Sequence, residues 1–179
     1  MFPIEKTVLV VVDVQGKLAQ LMHQKDELFR NLQILIRGAQ ALELPVLWCE
    51  QNPAGLGPTV PELATLLAGR EPIAKMSFSC VGDSRFMESL ARTGRSQVLL
   101  AGIEAHVCIY LTAADLTAAG YTVQVVADAV SSRRLENKQI GFERIRESGA
   151  GITCVETVLF ELLCTATHPK FKEIVRLLK

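Results

Sequence analysis

This sequence of 179 residues has few aromatic residues and no excess of either charge. Phe, Trp and Tyr make up 6% of the chain, too few to predict an aromatic platform on which nucleic-acid bases stack. Lysine plus arginine and aspartate plus glutamate number 19 each, so the formal net charge is zero. Because there is also no basic run, the sequence gives no reason to expect nucleic acid or an anionic membrane as a partner.

Long hydrophobic runs and paired-cysteine motifs are also absent from the sequence. No apolar stretch approaches the roughly 20 residues of a membrane-spanning helix. The first apolar run is short, follows Glu5 and Lys6, and has no small-residue cleavage site, so we expect no signal peptide. The five cysteines show neither CxxC nor zinc-ligand spacing, which is typical of free thiols in a reducing compartment. We therefore expect a cytoplasmic protein.

The pattern of apolar residues predicts alternating strands and helices. With 49% apolar residues, a chain of this length predicts one domain over residues 1–179. Short apolar runs predict strands at 7–12, 45–49, 72–75, 96–101, 121–127 and 151–155. Helical patterns lie between and after them, at 26–41, 61–67, 83–92, 107–118, 136–148, 157–163 and 168–178. The alternation predicts an α/β fold, a three-layer α/β/α sandwich on a six-stranded, mostly parallel sheet.

The stretch from Val98 to Gly120 carries the residue with the most distinctive chemistry, Cys108. It predicts a buried strand, a tight turn near Gly102, and a helix whose first turn holds Cys108. A thiol at that position faces the positive end of a helix dipole and unpaired backbone N–H groups, which lower a thiol pKa and favour the nucleophilic thiolate. The alternative is that Cys108 is a buried cysteine acting only as a small hydrophobic residue.

Three reactive residues follow predicted strands: Asp13 after the first, Lys75 after the third and Cys108 after the fourth. If the strand order is 3-2-1-4-5-6, strands one and four flank the point where the order reverses, the usual ligand site of such sheets. Asp13 could then take the thiol proton, Lys75 could hold the Asp13 carboxylate, and backbone N–H groups before Cys108 could stabilise an oxyanion. The alternatives are a turn-capping aspartate and a solvated surface lysine.

The protonation state of Cys108 can also be predicted from these neighbours. We expect the positive charge of Lys75 and the helix dipole to outweigh the like charge of Asp13, so that the thiolate is stabilised and the proton rests on Asp13 or is shared with it. On this hypothesis Cys108 alkylates at neutral pH well before the other cysteines, which are Cys49, Cys80, Cys154 and Cys164.

Three blocks of sequence, VLVVVDVQGKL, IAKMSFSC and LLAGIEAHVCI, together resemble the isochorismatase-like cysteine hydrolase superfamily, which includes nicotinamidases and carbamoylsarcosine amidases. EQNPAGLGPTVPEL and VVADAVSSR are most similar to its subgroup of isochorismatase domain-containing proteins. The resemblance implies a catalytic triad of Asp13, Lys75 and Cys108 and a cis peptide between Ile103 and Glu104. It also implies an oxyanion hole formed by the backbone N–H groups of Glu104 and Cys108, and a homo-oligomer, dimeric or larger.

Two departures from the nicotinamidases limit what the resemblance implies. Their Asp/His metal cluster follows strand two, but the segment from Trp48 to Pro53 has no histidine here, so we expect neither a metal nor another cofactor. The aromatic residue that they place five residues after the triad aspartate is replaced by Leu18. Nicotinamide is therefore not the expected substrate.

The presence of Cys108 also distinguishes between reactions within the superfamily. Members that hydrolyse isochorismate, a vinyl ether, lack the cysteine, whereas a thiolate suits an acyl carbon. The sequence therefore predicts cleavage of an amide or other C–N bond of a small molecule through a covalent thioester. Position in the chain predicts a substrate pocket formed by Gln15, Leu18, Gln51, Phe78 and Tyr110. The alternative function is a non-catalytic interaction protein that retains the hydrolase fold.

Overall fold

A computed structural model describes residues 2–179 as one parallel sheet between two layers of helices. The strands are β1 (Thr7–Val12), β2 (Val46–Gln51), β3 (Ile73–Lys75), β4 (Gln97–Ile103), β5 (Thr122–Ser131) and β6 (Gly151–Thr153). The α-helices are α1 (Gly16–Gln20), α2 (Lys25–Ala41), α3 (Pro53–Leu56), α4 (Pro61–Ala64), α5 (Ser84–Arg92), α6 (Tyr110–Ala118), α7 (Leu135–Glu147), α8 (Val155–Leu163) and α9 (Phe171–Leu177). The 3₁₀ turns are Ile4–Lys6 and Cys80–Gly82, and a π-helical turn covers Ala105–Ile109.

The sheet has the strand order β3-β2-β1-β4-β5-β6, and every neighbouring pair is parallel. The predicted fold class is therefore confirmed. The chain builds outward from β1 in one direction, then returns and builds outward from β4 in the other. The switch point lies between β1 and β4, so the residues that follow these two strands meet at the carboxyl edge of the sheet.

The central strand explains why both faces of the sheet carry a core. All six residues of β1 are buried. Because successive side chains of a strand point to opposite faces, Leu9 and Val11 pack in one apolar cluster, while Val8, Val10 and Val12 pack in another. This is why the run Thr7–Val12 is apolar at nearly every position rather than alternating.

Two elements differ from the sequence-based prediction in ways that affect the site. β5 continues to Ser131, four residues beyond the predicted end, with a register shift against β4 between Leu100 and Gly102. Asp128 interrupts the apolar pattern there, so the pattern ends before the strand does. The helix predicted at 107–118 is instead the π-helical turn followed by α6, which begins at Tyr110.

The remaining differences are smaller. The short helices α1 and α3 and both 3₁₀ turns have no counterpart in the prediction, because they are too brief for a helical period to show. α4 ends at Ala64 rather than residue 67. Within residues 2–179, none of the helices combines the length and the apolar character needed to cross a membrane.

Gly102 allows β4 to lie against β1, and its replacement gives the first testable prediction. Its φ is +122°, and a Cβ atom there would lie 2.1 Å from the carbonyl oxygen of Val12. We expect Gly102→Ala to destabilise the protein by more than about 2 kcal/mol, because backbone strain and overpacking add. Gly94→Ala is the matched control, since Gly94 also has a positive φ, +66°, but an added Cβ meets nothing within 4 Å. Equal losses of unfolding free energy in urea would contradict the packing argument.

Candidate active site

Asp13 and Lys75 form a buried ion pair at the carboxyl edge of the sheet. The Lys75 Nζ lies 2.7 Å from Asp13 Oδ2, and their side chains are 0% and 4% exposed, respectively. Nζ also contacts Gln51 Oε1 at 2.9 Å and the carbonyl oxygens of Ser77 and Phe78 at 3.2 and 3.1 Å. The three N–H groups of the ammonium therefore have four acceptors around them, which fixes both its position and its charge.

Two glutamines, Gln15 and Gln51, form hydrogen bonds next to this ion pair. Gln51 donates from Nε2 to the carbonyl of Met76 at 2.8 Å while its Oε1 accepts from Lys75. Gln15 Oε1 accepts from the backbone N–H of Gln51 at 2.6 Å, and Gln15 Nε2 donates to the carbonyl oxygens of Gln51 and Gly57. The amide group of Gln15 thus bonds only to backbone groups, whereas the side chain of Gln51 contacts Lys75 directly.

Cys108 lies opposite Asp13, in the π-helical turn, and is 7% exposed. Asp13 Oδ1 is buried and has no hydrogen-bond partner of standard geometry among the described residues. The Cys108 thiol and the Gln51 backbone nevertheless lie close enough to lower the pKa of the Asp13 carboxyl. One carboxylate oxygen is therefore held by Lys75, while the other is available to the thiol proton.

Burial and neighbouring charges act in opposite directions on the pKa values of Asp13 and Lys75. Burial raises the pKa of Asp13 above 3.8, and the positive charge of Lys75 only partly opposes the rise. Burial alone would lower the pKa of Lys75, but the negative charge of Asp13 and the neighbouring thiols leave it raised above 10.5. Lys75 is therefore positively charged throughout the neutral range.

The expectation of a resting thiolate is wrong. Burial, followed by the negative charge of Asp13, raises the pKa of the Cys108 thiol, and the opposing effect of Lys75 is smaller. Cys108 is thus a protonated thiol at neutral pH, and fast alkylation of the resting protein is no longer expected. The thiolate has to form as the proton moves to Asp13.

The turn between β4 and Cys108 is held by its own hydrogen bonds and by contacts with Arg133. The peptide bond between Ile103 and Glu104 is cis. The N–H groups of Val107 and Ile109 both donate to the Glu104 carbonyl, at 3.1 and 3.2 Å. The Glu104 carboxylate accepts from the backbone N–H of Arg133 at 3.0 Å and from its Nε at 3.2 Å, so the side chain faces β5 and its loop.

A cavity of about 110 Å³ joins these groups. Its lining residues are Asp13, Leu18, Gln51, Leu56, Phe78, Ile103, Glu104, Val107 and Cys108. Of the residues predicted for the pocket, Leu18, Gln51 and Phe78 line it. Leu56, Ile103 and Val107 were missed, although the apolar residues beside Glu104 and Cys108 could have indicated two of them.

Gln15 and Tyr110 do not line the cavity. The Gln15 amide is turned onto the backbone of Gln51 and Gly57. Because the π-helical turn ends before Tyr110, that side chain faces α7, where its hydroxyl accepts from Arg144 at 3.0 Å. The prediction assumed a regular α-helix from residue 107, which orients the following residues differently.

Possible metal ligands are not clustered in the described part of the chain. Among residues 2–179, no group of three or more His, Cys, Asp and Glu side chains could hold a metal ion. Glu50, the carboxylate that follows Cys49, accepts instead from the backbone N–H and the hydroxyl of Thr59, at 2.7 and 2.8 Å. Its role is to hold the loop that precedes α4.

Comparison with known proteins identifies the family. The model of the isochorismatase domain matches residues 7–157, a span that contains all three members of the Asp13, Lys75 and Cys108 cluster. The chain belongs to the isochorismatase family. Its fold is that of the family's hydrolases, and family membership suggests hydrolase activity.

Individual members of the isochorismatase family are similar over nearly the whole chain. Isochorismatase domain-containing protein 2 of Danio rerio is 42% identical, covering 96% of this chain and 86% of the relative. The Homo sapiens protein of the same name is 40% identical, covering 97% and 83%. The solved structure of MAR1 ribonuclease from Caenorhabditis elegans superposes with a TM-score of 0.91 at 37% identity, covering 98% of this chain and 91% of that one.

Proposed function

We propose that this protein is a cysteine hydrolase that cleaves an amide or other C–N bond of a small molecule through a covalent thioester. The observation that carries the proposal is the arrangement around Asp13. One carboxylate oxygen is held by the buried ammonium of Lys75, and the other has no partner of standard geometry beside the Cys108 thiol. This combination provides a nucleophile, a base and a charge that orients the base.

In the first half of the reaction, the Cys108 sulfur attacks the carbonyl carbon of the substrate while Asp13 Oδ1 accepts the thiol proton. The raised pKa of the thiol makes this transfer necessary. The developing oxyanion is stabilised by the backbone N–H groups of Glu104 and Cys108, whose residues both line the cavity. The C–N bond then breaks as Asp13 returns the proton to nitrogen, leaving a thioester on Cys108.

In the second half, water hydrolyses the thioester. Asp13, again a carboxylate, accepts a proton from water as its oxygen attacks the acyl carbon. The C–S bond breaks, and the proton returns to sulfur, which restores the thiol. Lys75 retains its proton throughout and stabilises the Asp13 carboxylate, because its own raised pKa keeps it charged.

The proposal also covers the substrate class, the cofactor requirement, the location and the oligomeric state. The substrate is a small molecule, and the reaction uses no cofactor, since the thiol, the carboxylate and water account for every bond made and broken. The protein acts in the cytoplasm, without nucleic acid or membrane partners, as a homo-oligomer that is dimeric or larger. Size-exclusion chromatography with light scattering tests the oligomeric state.

A substrate screen tests the function. A panel of small amides and ureides is incubated with the protein, and released ammonia is measured beside a Cys108→Ala control. We expect ammonia release for some members and an acyl adduct on Cys108 by mass spectrometry after rapid acid quenching. Release that persists in the control, or no release from any member, would count against the proposal.

Chelators provide a second test of the same chemistry. Because every group in the proposed reaction belongs to the protein, the substrate or water, we expect activity to survive dialysis against EDTA or phenanthroline unchanged. The measurement is kcat/KM before and after dialysis. Loss of activity that zinc or iron restores would contradict the metal-free mechanism.

Two other functions remain as candidates. The 37% identical structural neighbour is named a ribonuclease, so an RNA cleavage assay belongs beside the amide screen. The neutral charge of the chain and the 110 Å³ cavity favour a smaller substrate. The other candidate is an interaction protein that retains the fold without turnover, and an unreactive Cys108 in the presence of every substrate would favour it.

A further inference from the structure

We infer that the substrate carries an oxyanion, a carboxylate or phosphate group, that binds in a cleft beside the catalytic cavity. The cleft is lined by Leu21, Arg133, Arg134 and Asn137 and has a volume of about 510 Å³. This inference deepens the proposed function, on which it rests, because it names the class of substrate that the same site accepts.

The small size of the catalytic cavity leaves any substrate larger than a few atoms in need of a second binding region. At about 110 Å³, the cavity beside Cys108 is well below the roughly 300–1,000 Å³ of pockets that bury drug-sized ligands. It has room for a reacting carbonyl and a few neighbouring atoms. Any larger substrate must extend beyond the cavity, into the space that adjoins it.

Two contacts link residues of the arginine-lined cleft to residues of the cavity. On one side, Leu18 of the cavity and Leu21 of the cleft lie one turn apart, and the Leu21 N–H donates to the Leu18 carbonyl at 3.0 Å. On the other side, Glu104 of the cavity contacts Arg133 of the cleft, Oε1 to Nε, at 3.2 Å. The cleft therefore neighbours the cavity, and the inference requires the substrate to extend from one into the other.

The charges of the cleft favour an anion. No carboxylate is among its lining residues within the described chain, and Glu104 balances only one of its two guanidinium groups. Glu104 engages the Nε of Arg133, so the two terminal nitrogens of that guanidinium stay available for a ligand. Arg134 is exposed, and its side chain forms no hydrogen bond or ion pair with residues 2–179. Guanidinium groups bind planar carboxylate and phosphate oxygens through paired, charge-assisted hydrogen bonds.

Binding of matched amides tests the inference without requiring turnover. The Cys108→Ser variant is titrated calorimetrically with succinamate, glutaramate and adipamate, and with the neutral amides of equal length, butyramide, valeramide and hexanamide. 3-Phosphonopropionamide distinguishes a phosphate preference from a carboxylate preference. We expect the best anionic member to bind about 10-fold tighter than its neutral partner, as for one charge-assisted contact.

Variants of the cleft assign the preference to particular residues. Introducing Arg134→Gln is expected to reduce the preference to less than about threefold, and Arg134→Lys to retain part of it, since the charge remains. Arg30→Gln is the matched control, because Arg30 is also exposed but lies on α2, outside the cleft. Arg133 is left unchanged, since its contact with Glu104 would confuse a binding effect with displacement of the catalytic turn.

The outcomes separate this inference from the proposed function. Equal or undetectable binding of anionic and neutral amides overturns the inference, even if the wild-type protein hydrolyses them. A preference that survives Arg134→Gln overturns the assignment of the anion contact to Arg134. A preference that Arg134→Gln removes supports the inference, even if the wild-type protein releases no ammonia from any amide, a result that would count against only the hydrolase proposal.

Discussion

Cys108→Ser is expected to lower kcat for any hydrolysed amide by about 10⁴-fold or more while leaving the fold unchanged. Serine is nearly isosteric with cysteine, so little packing is lost even though Cys108 is only 7% exposed. The hydroxyl pKa, however, lies far above that of a thiol, and Asp13 is too weak a base to remove its proton. The measurement is single-turnover ammonia release at saturating substrate, together with urea unfolding of both proteins.

The matched control is Cys164→Ser, because Cys164 is exposed and distant in sequence from every residue of the cavity. It should retain wild-type kcat. A Cys108→Ser variant with more than about a tenth of wild-type kcat and unchanged stability would show that sulfur is not the nucleophile. Water activated directly by Asp13 would then be the simplest remaining mechanism.

The positions of the reactive residues were predictable because they depend on topology. Asp13, Lys75 and Cys108 each follow a strand of a parallel sheet, and parallel strands end at one edge. The strand order that places Asp13 and Cys108 together needed only the βαβ pattern and a switch point. The placement of the three residues at one edge thus followed from where three short apolar runs end.

The resting protonation of Cys108 was not predictable in the same way. Its pKa depends on how far the thiol is removed from water, and that depends on packing by segments distant in the sequence, including Leu56 and Phe78. The sequence indicates the neighbouring charges but not the extent of burial, which here has the larger effect. The prediction therefore named the right neighbouring charges but gave the pKa shift of Cys108 the wrong direction.

Tyr110 shows a second limit, set by local backbone geometry. The π-helical turn Ala105–Ile109 changes the direction of every side chain after it, and no residue pattern in EAHVCIY distinguishes such a turn from a regular α-helix. Tyr110 consequently contacts Arg144 rather than the cavity. Arg133 and Arg134 show the opposite error, because the sequence did not predict them near the site. They follow the extension of β5 to Ser131, beyond the apolar run, and line the neighbouring cleft.

Lys75→Met is expected to abolish detectable hydrolysis and to destabilise the protein by about 3–5 kcal/mol at pH 8, because it leaves the Asp13 carboxylate buried without a counter-charge. It also removes the donor that Gln51 Oε1 and two carbonyl oxygens share. The wild-type pKa of Lys75 is raised above 10.5, so the comparison involves a fully charged lysine throughout the range tested. Urea unfolding measures the loss of stability, and ammonia release measures activity.

The pH dependence of this destabilisation identifies Asp13 as its cause. Without Lys75, the folded-state pKa of Asp13 rises further above 3.8, while the unfolded-state value does not change. A carboxyl with a raised folded-state pKa costs no stability where it is protonated in both states, and its cost grows as pH rises from the unfolded-state pKa to the folded-state one. The loss should therefore be smaller at pH 4 than at pH 8.

The double variant Asp13→Asn/Lys75→Met separates structural from catalytic roles. It removes both charges, so we expect it to recover the pH-dependent part of the lost stability, while the three other oxygens that Lys75 contacted stay without their donor. Activity should remain absent, because the double variant has no base to accept the thiol proton. Hydrolysis restored together with stability would show that Asp13 and Lys75 only support the fold, whereas stability restored without hydrolysis assigns them to the chemistry of Cys108.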